Sequence, residues 1–211
     1  DNRVSNAVKY RMDNPKGLQA GVSYGMGEAA GSTTKGASYS YDAAYLGTNY
    51  QVGLGQVSFN GVNTLGTSGV LPKHEVTALG GSMTFGAFTP YLAIYNSTLD
   101  SATTPGLKTQ SNKVNSAGLA WKATNAVLIR ASYATDKGTD LNNVAGRNGQ
   151  KNTKVMSAEY ALSKRTSLNA IVSRNVLSGG YLLEPLYAAA LGKNPAASSV
   201  QFYGVGVNHS F

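Results

Sequence analysis

The 211-residue chain contains no cysteine. This absence excludes a disulfide framework, a thiol nucleophile and a zinc site built on cysteine. Charged residues are also scarce, at 13% of the chain, whereas soluble domains usually carry about 25%. Mean hydropathy is nevertheless only -0.19, because serine, threonine, asparagine and glycine take the place of the missing charged residues and are not hydrophobic.

Long hydrophobic runs are absent too. No apolar stretch of the sequence approaches the roughly 18 residues that a membrane-spanning helix requires. A membrane protein of this composition would have to cross with strands, whose signal per segment is weak. Tyrosine is the dominant aromatic residue, with 13 copies against 5 phenylalanines and 1 tryptophan. Tyrosine suits a membrane–water boundary, since its ring can be buried while its hydroxyl stays hydrated.

The formal net charge is +8, and the isoelectric point is near 9.6. Such a charge is typical of proteins that bind nucleic acid, that lie on an anionic surface or that provide a pathway for anions. Nucleic-acid binders usually cluster their lysines and arginines, whereas the 18 basic residues here are mostly scattered singly along the chain. The distribution therefore argues against a nucleic-acid partner.

The last twelve residues alternate in character. Every second residue, counted back from the end, is mostly apolar or aromatic, and the residues between them are mostly small or polar. The first set is Tyr203, Val205, Val207, His209 and Phe211. This is the period of a strand that separates two different environments. Chain ends are usually mobile and polar, so a chain that ends on phenylalanine in mid-strand requires that strand to be held. The pattern is typical of the closing strand of a β-barrel.

Similar period-two segments recur along the whole chain. They predict an all-β, up-and-down antiparallel transmembrane β-barrel with about eleven strands in a single domain over residues 1–211. The predicted strands are Arg3–Met12, Leu18–Gly27, Gly36–Tyr41, Leu46–Phe59, Val76–Phe85, Thr89–Ser97, Lys113–Ala123, Ala126–Thr135, Thr153–Leu162, Thr166–Val176 and Val200–Phe211.

The links between these strands alternate between short and long. The short ones include a turn predicted at Asp42–Tyr45, and most contain the Gly, Pro, Asn or Asp that tight turns favour. The long ones are rich in Gly, Ser, Thr and Asn, and lie near Glu28–Lys35, Asn60–Glu75, Thr98–Asn112, Asp136–Asn152 and Leu177–Ser199. Strict alternation fits a barrel with turns on one side and loops on the other, and it is not expected of a Greek-key sandwich. The last long link contains an apolar run, Tyr181–Leu191, which fits either a short helix interrupted at Pro185 or, as we prefer, loop packing.

Eleven strands cannot close with every neighbour antiparallel, and bacterial single-chain barrels have an even number of strands. An open edge in lipid would leave backbone groups without partners. Either the count of eleven strands is wrong, or further strands precede Asp1.

Three segments carry a resemblance to a known family: Arg3–Tyr10 with the following Asn14-Pro15-Lys16-Gly17-Leu18, the turn Ala161–Leu168, and the terminus Gly206–Phe211. In this order they resemble the trimeric general porins of β-proteobacteria. The resemblance implies an outer-membrane barrel of sixteen strands, of which the eleven here would be the sixth to the sixteenth. The constriction loop of that family would then lie before Asp1. Passive diffusion of small hydrophilic, anionic solutes, a homotrimer and contact with lipopolysaccharide are implied as well.

The resemblance also implies that the terminal strand is read by the outer-membrane assembly machinery. The residues implied in that signal are Tyr203, Val205, Val207, His209 and Phe211.

The phase of each strand predicts which residues face the water channel. A cation facing hydrocarbon costs about 2–4 kcal/mol at the bilayer midplane, so the basic face of each strand should be luminal. The predicted luminal set is Arg3, Lys9, Lys122, Arg130 and Glu159. One interpretation is a basic ladder that favours anions, in which Arg3 matches a constriction arginine of the anion-selective members of the family. The alternative is that these are ordinary lumen residues in ion pairs with acids such as Glu159.

Catalytic and metal sites are not predicted. The chain has two histidines; His209 falls on the outward face of the last strand, and His74 lies in or beside a long loop, where no fixed partner is evident. No cofactor is expected, and no histidine or acidic cluster has the spacing of metal ligands. Two other hypotheses remain at this point. One is a barrel that acts as an adhesin or surface receptor through its loops, and the other is a soluble β-solenoid or lectin.

Overall fold

The computed structural model describes residues 7–26, 37–60, 73–100, 109–184 and 197–210. These residues form one sheet of eleven antiparallel strands, in which each strand pairs with its neighbours in sequence. The strands are β1 (Ala7–Met12), β2 (Gly17–Gly25), β3 (Ser38–Leu46), β4 (Tyr50–Asn60), β5 (Lys73–Met83), β6 (Phe88–Leu99), β7 (Gln110–Lys122), β8 (Val127–Thr139), β9 (Gly149–Ala161), β10 (Thr166–Gly179) and β11 (Ser199–His209). The all-β, up-and-down prediction is confirmed. Within the described part, β1 and β11 are edge strands that do not pair with each other.

The short turns are built from local hydrogen bonds. Between β7 and β8, the Thr124 hydroxyl accepts hydrogen bonds from the backbone N–H groups of Ala126 and Val127. Between β9 and β10, the Ser163 hydroxyl accepts one from the N–H of Arg165. Such side-chain bonds stabilise a tight turn, because they satisfy backbone donors that the ladder cannot reach.

One predicted turn is wrong. Strand β3 runs straight through Asp42–Tyr45 and ends at Leu46, and the turn follows at 47–49, where the N–H of Gly47 donates to the carbonyl of Tyr50. The aspartate suggested a turn, but its side chain pairs with Arg11 across the sheet. Tertiary pairing has therefore overridden the local preference of aspartate for turns.

The strands also extend further into the long links than predicted. For example, β8 continues to Thr139 and β9 already begins at Gly149. Here both faces of the strands are polar, so the period-two signal fades although the ladder of hydrogen bonds continues. His74 and Glu75, expected in or beside a loop, lie at the start of β5 for the same reason.

The sheet has one continuous apolar face. Residues directly opposite each other in adjacent strands share a face, and the register connects the outward positions of all eleven strands without a break. Typical members are Tyr10, Leu92 and Val205, whose side chains are 72%, 68% and 91% exposed. Soluble monomers rarely expose a contiguous apolar surface of this extent, so this face requires a non-aqueous environment.

Aromatic rings line the turn edge of the apolar face. The rings of Tyr45 and Tyr50 stack with centroids 5.8 Å apart, and those of Phe88 and Trp121 stack at 6.0 Å. Tyrosine and tryptophan prefer the boundary between hydrocarbon and water. The row therefore marks one rim of the apolar band.

Two short 3₁₀ segments, Leu141–Asn143 and Gly180–Leu183, accompany the strands. The second covers the beginning of the apolar run in the last long link, and residues 185–196 of that link lie outside the described ranges. No helix in the described residues is long and apolar enough to cross a membrane.

Candidate pore lining

The opposite face of the sheet is polar and rich in small residues. The alternation of side chains along β1, β7, β8 and β9 places four of the five residues predicted to face the channel on this polar face. They are Lys9, Lys122, Arg130 and Glu159. The fifth, Arg3, lies outside the described residues. The position on the polar face is compatible with the predicted lumen, and the roles of these residues remain predictions.

The cations of this face differ in their surroundings. Arg130 Nη1 lies 3.4 Å from Glu159 Oε2, and both side chains remain partly exposed. Lys9 and Lys122 are exposed and have no acidic partner among the described residues. Glu159 thus offsets the charge of Arg130, as the alternative interpretation expected, while the two lysines keep theirs.

A second ion pair crosses three strands near the turn edge. Arg11 is directly opposite Gly21 in β2, and Gly21 is directly opposite Asp42 in β3. Because Gly21 has no side chain, the Arg11 guanidinium passes over it, and its Nη1 reaches 3.2 Å from Asp42 Oδ2. The same guanidinium bonds Asp13 at 2.6 Å. The predicted luminal set did not include this pair. The available signal was a glycine that lies in register between two opposite charges.

Another glycine on the polar face is covered by an aromatic ring. Gly118 in β7 lies opposite Tyr91 in β6, and a Cβ atom at position 118 would overlap the Tyr91 ring. Gly118→Ala is therefore expected to lower the free energy of unfolding by about 1–3 kcal/mol, as overpacking does. Urea unfolding of the refolded protein in lipid vesicles measures this change.

The matched control is Gly21→Ala. There the new methyl group would meet the partly exposed Asp42 carboxylate, at 2.7 Å from Oδ1, and would disturb only an exposed ion pair. The expected loss is below about 1 kcal/mol. Equal losses for the two variants would contradict the assignment of Tyr91 as a packed cover of Gly118.

A small lobe folds onto the polar face at the loop edge. Leu141, Leu177 and Tyr181 form its core and are 1%, 2% and 4% exposed. Leu177 belongs to the polar face of β10, and the other two residues come from the 3₁₀ segments. The segment after β10 therefore turns back over the inside of the sheet rather than away from it.

Polar groups of three strands hold this lobe. Asn112 Nδ2 donates to Asp136 Oδ1 at 3.0 Å and to the Tyr181 hydroxyl at 2.7 Å. Lys151 Nζ lies 3.3 Å from Asp136 Oδ2 and 5.3 Å from the centroid of the Tyr181 ring. A largely buried carboxylate is thus paired and hydrogen-bonded, which satisfies the requirement for burying a charge.

The edge of the lobe carries a second acid. Burial raises the pKa of the Glu184 carboxyl above its usual value, although Arg147 and Lys151 oppose this shift. Its buried Oε1 has no hydrogen-bond partner in the described part of the chain. Sequence reasoning preferred loop packing for this segment but did not find its partners, since they belong to strands far away in the chain.

The two histidines lie on opposite faces of the sheet. His74 Nε2 lies 2.9 Å from Ser97 Oγ, but no carboxylate in the described ranges bonds to the ring, so nothing orients it as a general base. His209 lies on the apolar face at its edge and bonds Thr166 Oγ1 at 2.9 Å. Within the described residues, no group of three histidine, aspartate or glutamate residues could hold a metal ion.

The terminal strand shows the predicted phase. Tyr203, Val205, Val207 and His209 lie on the apolar face of β11, and Phe211 lies outside the described residues. An assembly role for these residues remains a prediction.

Solved structures with the same fold are outer-membrane proteins. The anion-selective porin from Comamonas acidovorans matches with a TM-score of 0.73 and 15% identity over 97% of this chain and 59% of that one. OmpT of Vibrio cholerae, folded in vitro, matches with a TM-score of 0.71 and 15% identity, covering 96% of this chain and 63% of its own. A trimer form of OmpT matches with a TM-score of 0.67 and 15% identity, covering 96% and 64%. The chain thus spans less than two thirds of the length of these structures.

A comparison with curated protein sequences gave no significant match. The family model for Gram-negative porins matches residues 1–179, which is most of the chain, and this confirms the resemblance seen in the sequence. The apolar outer face, the polar inner face and the family match agree: the chain belongs to the Gram-negative porin family and is part of an outer-membrane β-barrel.

Proposed function

We propose that the protein forms a water-filled channel for passive diffusion of small hydrophilic solutes and ions, without covalent turnover. The observation that carries this proposal is the separation of two faces over all eleven strands. One face is apolar and exposed and fits lipid, while the other is polar and lined with small residues. A barrel with this alternation encloses a polar interior.

The channel is further proposed to prefer anions. Five basic side chains lie on the described inner face of the strands and three acidic ones oppose them; the basic residues are Lys9, Arg11, Lys122, Arg130 and Lys151, and the acids are Asp42, Asp136 and Glu159. An excess of positive charge along a pore raises the local concentration of anions. The similar structure from Comamonas acidovorans is named as anion-selective, which supports the same direction. Arg3 is proposed as a further member of the ladder.

Reversal potentials in planar bilayers test the preference. Glu159→Gln removes the acid that pairs with Arg130. The ratio of anion to cation permeability is therefore expected to rise by up to about fivefold, since one charge at close range in water is worth about 1 kcal/mol. Lys9→Gln is expected to lower the ratio by a similar factor. Lys164→Gln, in the turn before β10, is the control and should change little.

Unchanged ratios in both pore variants, or in an Arg3→Gln variant, would contradict the ladder. Tight binding of a ligand by one loop with no ion conductance would instead favour the adhesin or receptor hypothesis.

Assembly is proposed to follow the family pattern. The OmpT structure titled as a trimer form shares this fold, and we propose a homotrimer in the outer membrane. The exposed outward residues of β11 are proposed as the signal that the assembly machinery reads, together with Phe211. Crosslinking of the membrane-extracted protein to a three-subunit band tests the trimer.

A further inference from the structure

Two large apolar side chains are exposed on the polar inner face of the sheet. They are Ile171 in β10 and Phe202 in β11, whose side chains are 39% and 57% exposed. All the other well-exposed large apolar side chains of the described strands lie on the outer face. Apolar surface in contact with water is unfavourable, so this exception on the water face indicates a bound partner that covers it.

The two side chains form one patch. Ile171 lies directly opposite Gly204, and Phe202 precedes Gly204 by two residues on the same face of β11. A Cβ atom built on Gly204 would lie 3.0 Å from Ile171 Cγ2 and 3.1 Å from Phe202 Cε1. The methyl group and the ring therefore converge over the bare backbone of Gly204. Together they present a continuous apolar surface, the Ile171–Phe202 patch, on the polar side of the sheet.

A cation lies in the same row of residues as this patch. Arg130 is directly opposite Ser157, and Ser157 is directly opposite Ile171. Because neighbouring strands are about 4.8 Å apart, Arg130 and Ile171 are separated by about 10 Å across a small side chain. The Arg130 side chain is 50% exposed, and it donates to one described residue, from Nη1 to Glu159 Oε2 at 3.4 Å. The rest of the guanidinium is thus available to an anion that approaches from the patch.

We propose that the inner wall of β8–β11 binds small aromatic carboxylates, with the carboxylate on Arg130 and the ring on the Ile171–Phe202 patch. Arginine binds a carboxylate through two parallel N–H groups, and aromatic rings pack on one another in offset or edge-to-face geometry. An inorganic anion would use the cation but not the patch, whereas an uncharged aromatic solute would use the patch but not the cation. This inference rests on the proposed channel, since a solute reaches the site through the lumen.

Benzoate is the probe, and its binding to the intact, membrane-extracted protein is measured by equilibrium dialysis and by block of chloride current in planar bilayers. Benzoate is expected to bind about tenfold more tightly than acetate, which lacks the ring, or benzamide, which lacks the charge. Phe202→Ser is expected to weaken benzoate binding about fivefold and to leave acetate binding as it was. The matched control is Val76→Ser, which removes an apolar side chain from the inner face of β5, three strands from Arg130. It should bind benzoate like the unaltered protein.

Two further variants test the cation and the space beside it. Arg130→Gln/Glu159→Gln removes the cation together with its acid, so the net charge of the wall is unchanged, and benzoate binding is expected to fall about tenfold. Ser157→Leu fills the space between the cation and the patch and leaves both in place. It should weaken benzoate binding several-fold, which keeps the test informative if Phe202→Ser folds poorly.

The outcomes separate this proposal from the channel proposal. Benzoate binding no tighter than acetate binding, as expected if another segment of the protein covers the patch, would overturn the site. Equal benzoate binding by Phe202→Ser, Ser157→Leu and the unaltered protein would also overturn it. Chloride conductance that benzoate does not block would overturn the site and leave the channel proposal intact. Saturable benzoate binding by a protein that conducts no ions would support the site and contradict the diffusion channel.

Discussion

Ala170→Arg is expected to lower the free energy of unfolding in lipid vesicles by about 2–4 kcal/mol, the cost of arginine facing lipid near the bilayer midplane. Ala170 lies in the middle of the apolar stretch of β10, directly opposite Ala158 on one side and Val205 on the other. The long arginine side chain would have no polar group of this face within the band to pair with. Denaturant titration, with the folded fraction read from heat-modifiable gel mobility, measures the loss.

The matched control is Asn169→Arg, one residue earlier in the same strand. Asn169 lies on the inner face, opposite Glu159 and Gly206. There water can hydrate the new guanidinium group and the Glu159 carboxylate can pair with it. The expected change is below about 1 kcal/mol. A loss at position 169 as large as the loss at 170 would contradict the division of the sheet into a lipid face and a water face.

Tyr181→Ala is also expected to have a large effect. The Tyr181 side chain is 4% exposed, packs with Leu141 and Leu177, and accepts a hydrogen bond from Asn112. Truncation of a buried aromatic residue costs about 3–5 kcal/mol. Here the truncation would weaken the packing of the lobe against the inner face of the sheet. Because the lobe lies against the inner face at the loop edge, its release should raise single-channel conductance and the rate of amide exchange at residues 180–183.

Leu183→Ala is the control for this variant. Leu183 belongs to the same 3₁₀ segment but is 62% exposed, so its truncation should leave both conductance and exchange nearly unchanged. If Tyr181→Ala speeds exchange without any rise in conductance, the lobe is docked as described but does not narrow the channel. No effect on either quantity would contradict the packing of Tyr181.

The barrel architecture could be predicted because lipid and water impose opposite demands on alternate residues. In β8, alternate positions are apolar, and the register places these residues on the apolar face: Val127, Ile129, Ala131 and Tyr133. In β3 a turn was predicted from Asp42, because aspartate favours turns. Its side chain instead pairs with Arg11 within the sheet. Sequence pattern reports the environment of a residue, but it does not report a partner on another strand.

The lobe could not be predicted for a related reason. Asp136, Asn112 and Tyr181 are separated by up to 69 positions in the chain, and each alone is an ordinary polar or aromatic residue of a link. Their common site exists only after the strands have paired. The apolar run Tyr181-Leu182-Leu183 within a polar link was the one visible sign that this segment packs against something.

The distribution of charge also differs from what the net charge suggested. The net charge of +8 by itself suggests a basic lumen, yet five basic residues of the described strands lie on the outer face: Lys73, Lys113, Lys137, Lys154 and Arg174. On the inner face Arg11, Arg130 and Lys151 are each paired with an acid. The proposed anion preference therefore depends on a few unpaired side chains such as Lys9 and Lys122 rather than on the total charge.

Single cysteines introduced along β10 distinguish water-facing from lipid-facing positions, because the chain has no cysteine of its own. Each position from 167 to 173 is replaced in turn, and the outer-membrane protein is treated with a charged, water-soluble thiol reagent. Labelling is expected with a period of two along the strand: Ser167, Asn169, Ile171 and Ser173 react, while Leu168, Ala170 and Val172 do not. Uniform reaction at all seven positions, or reaction at the even positions alone, would contradict a strand that separates lipid from a water-filled pore.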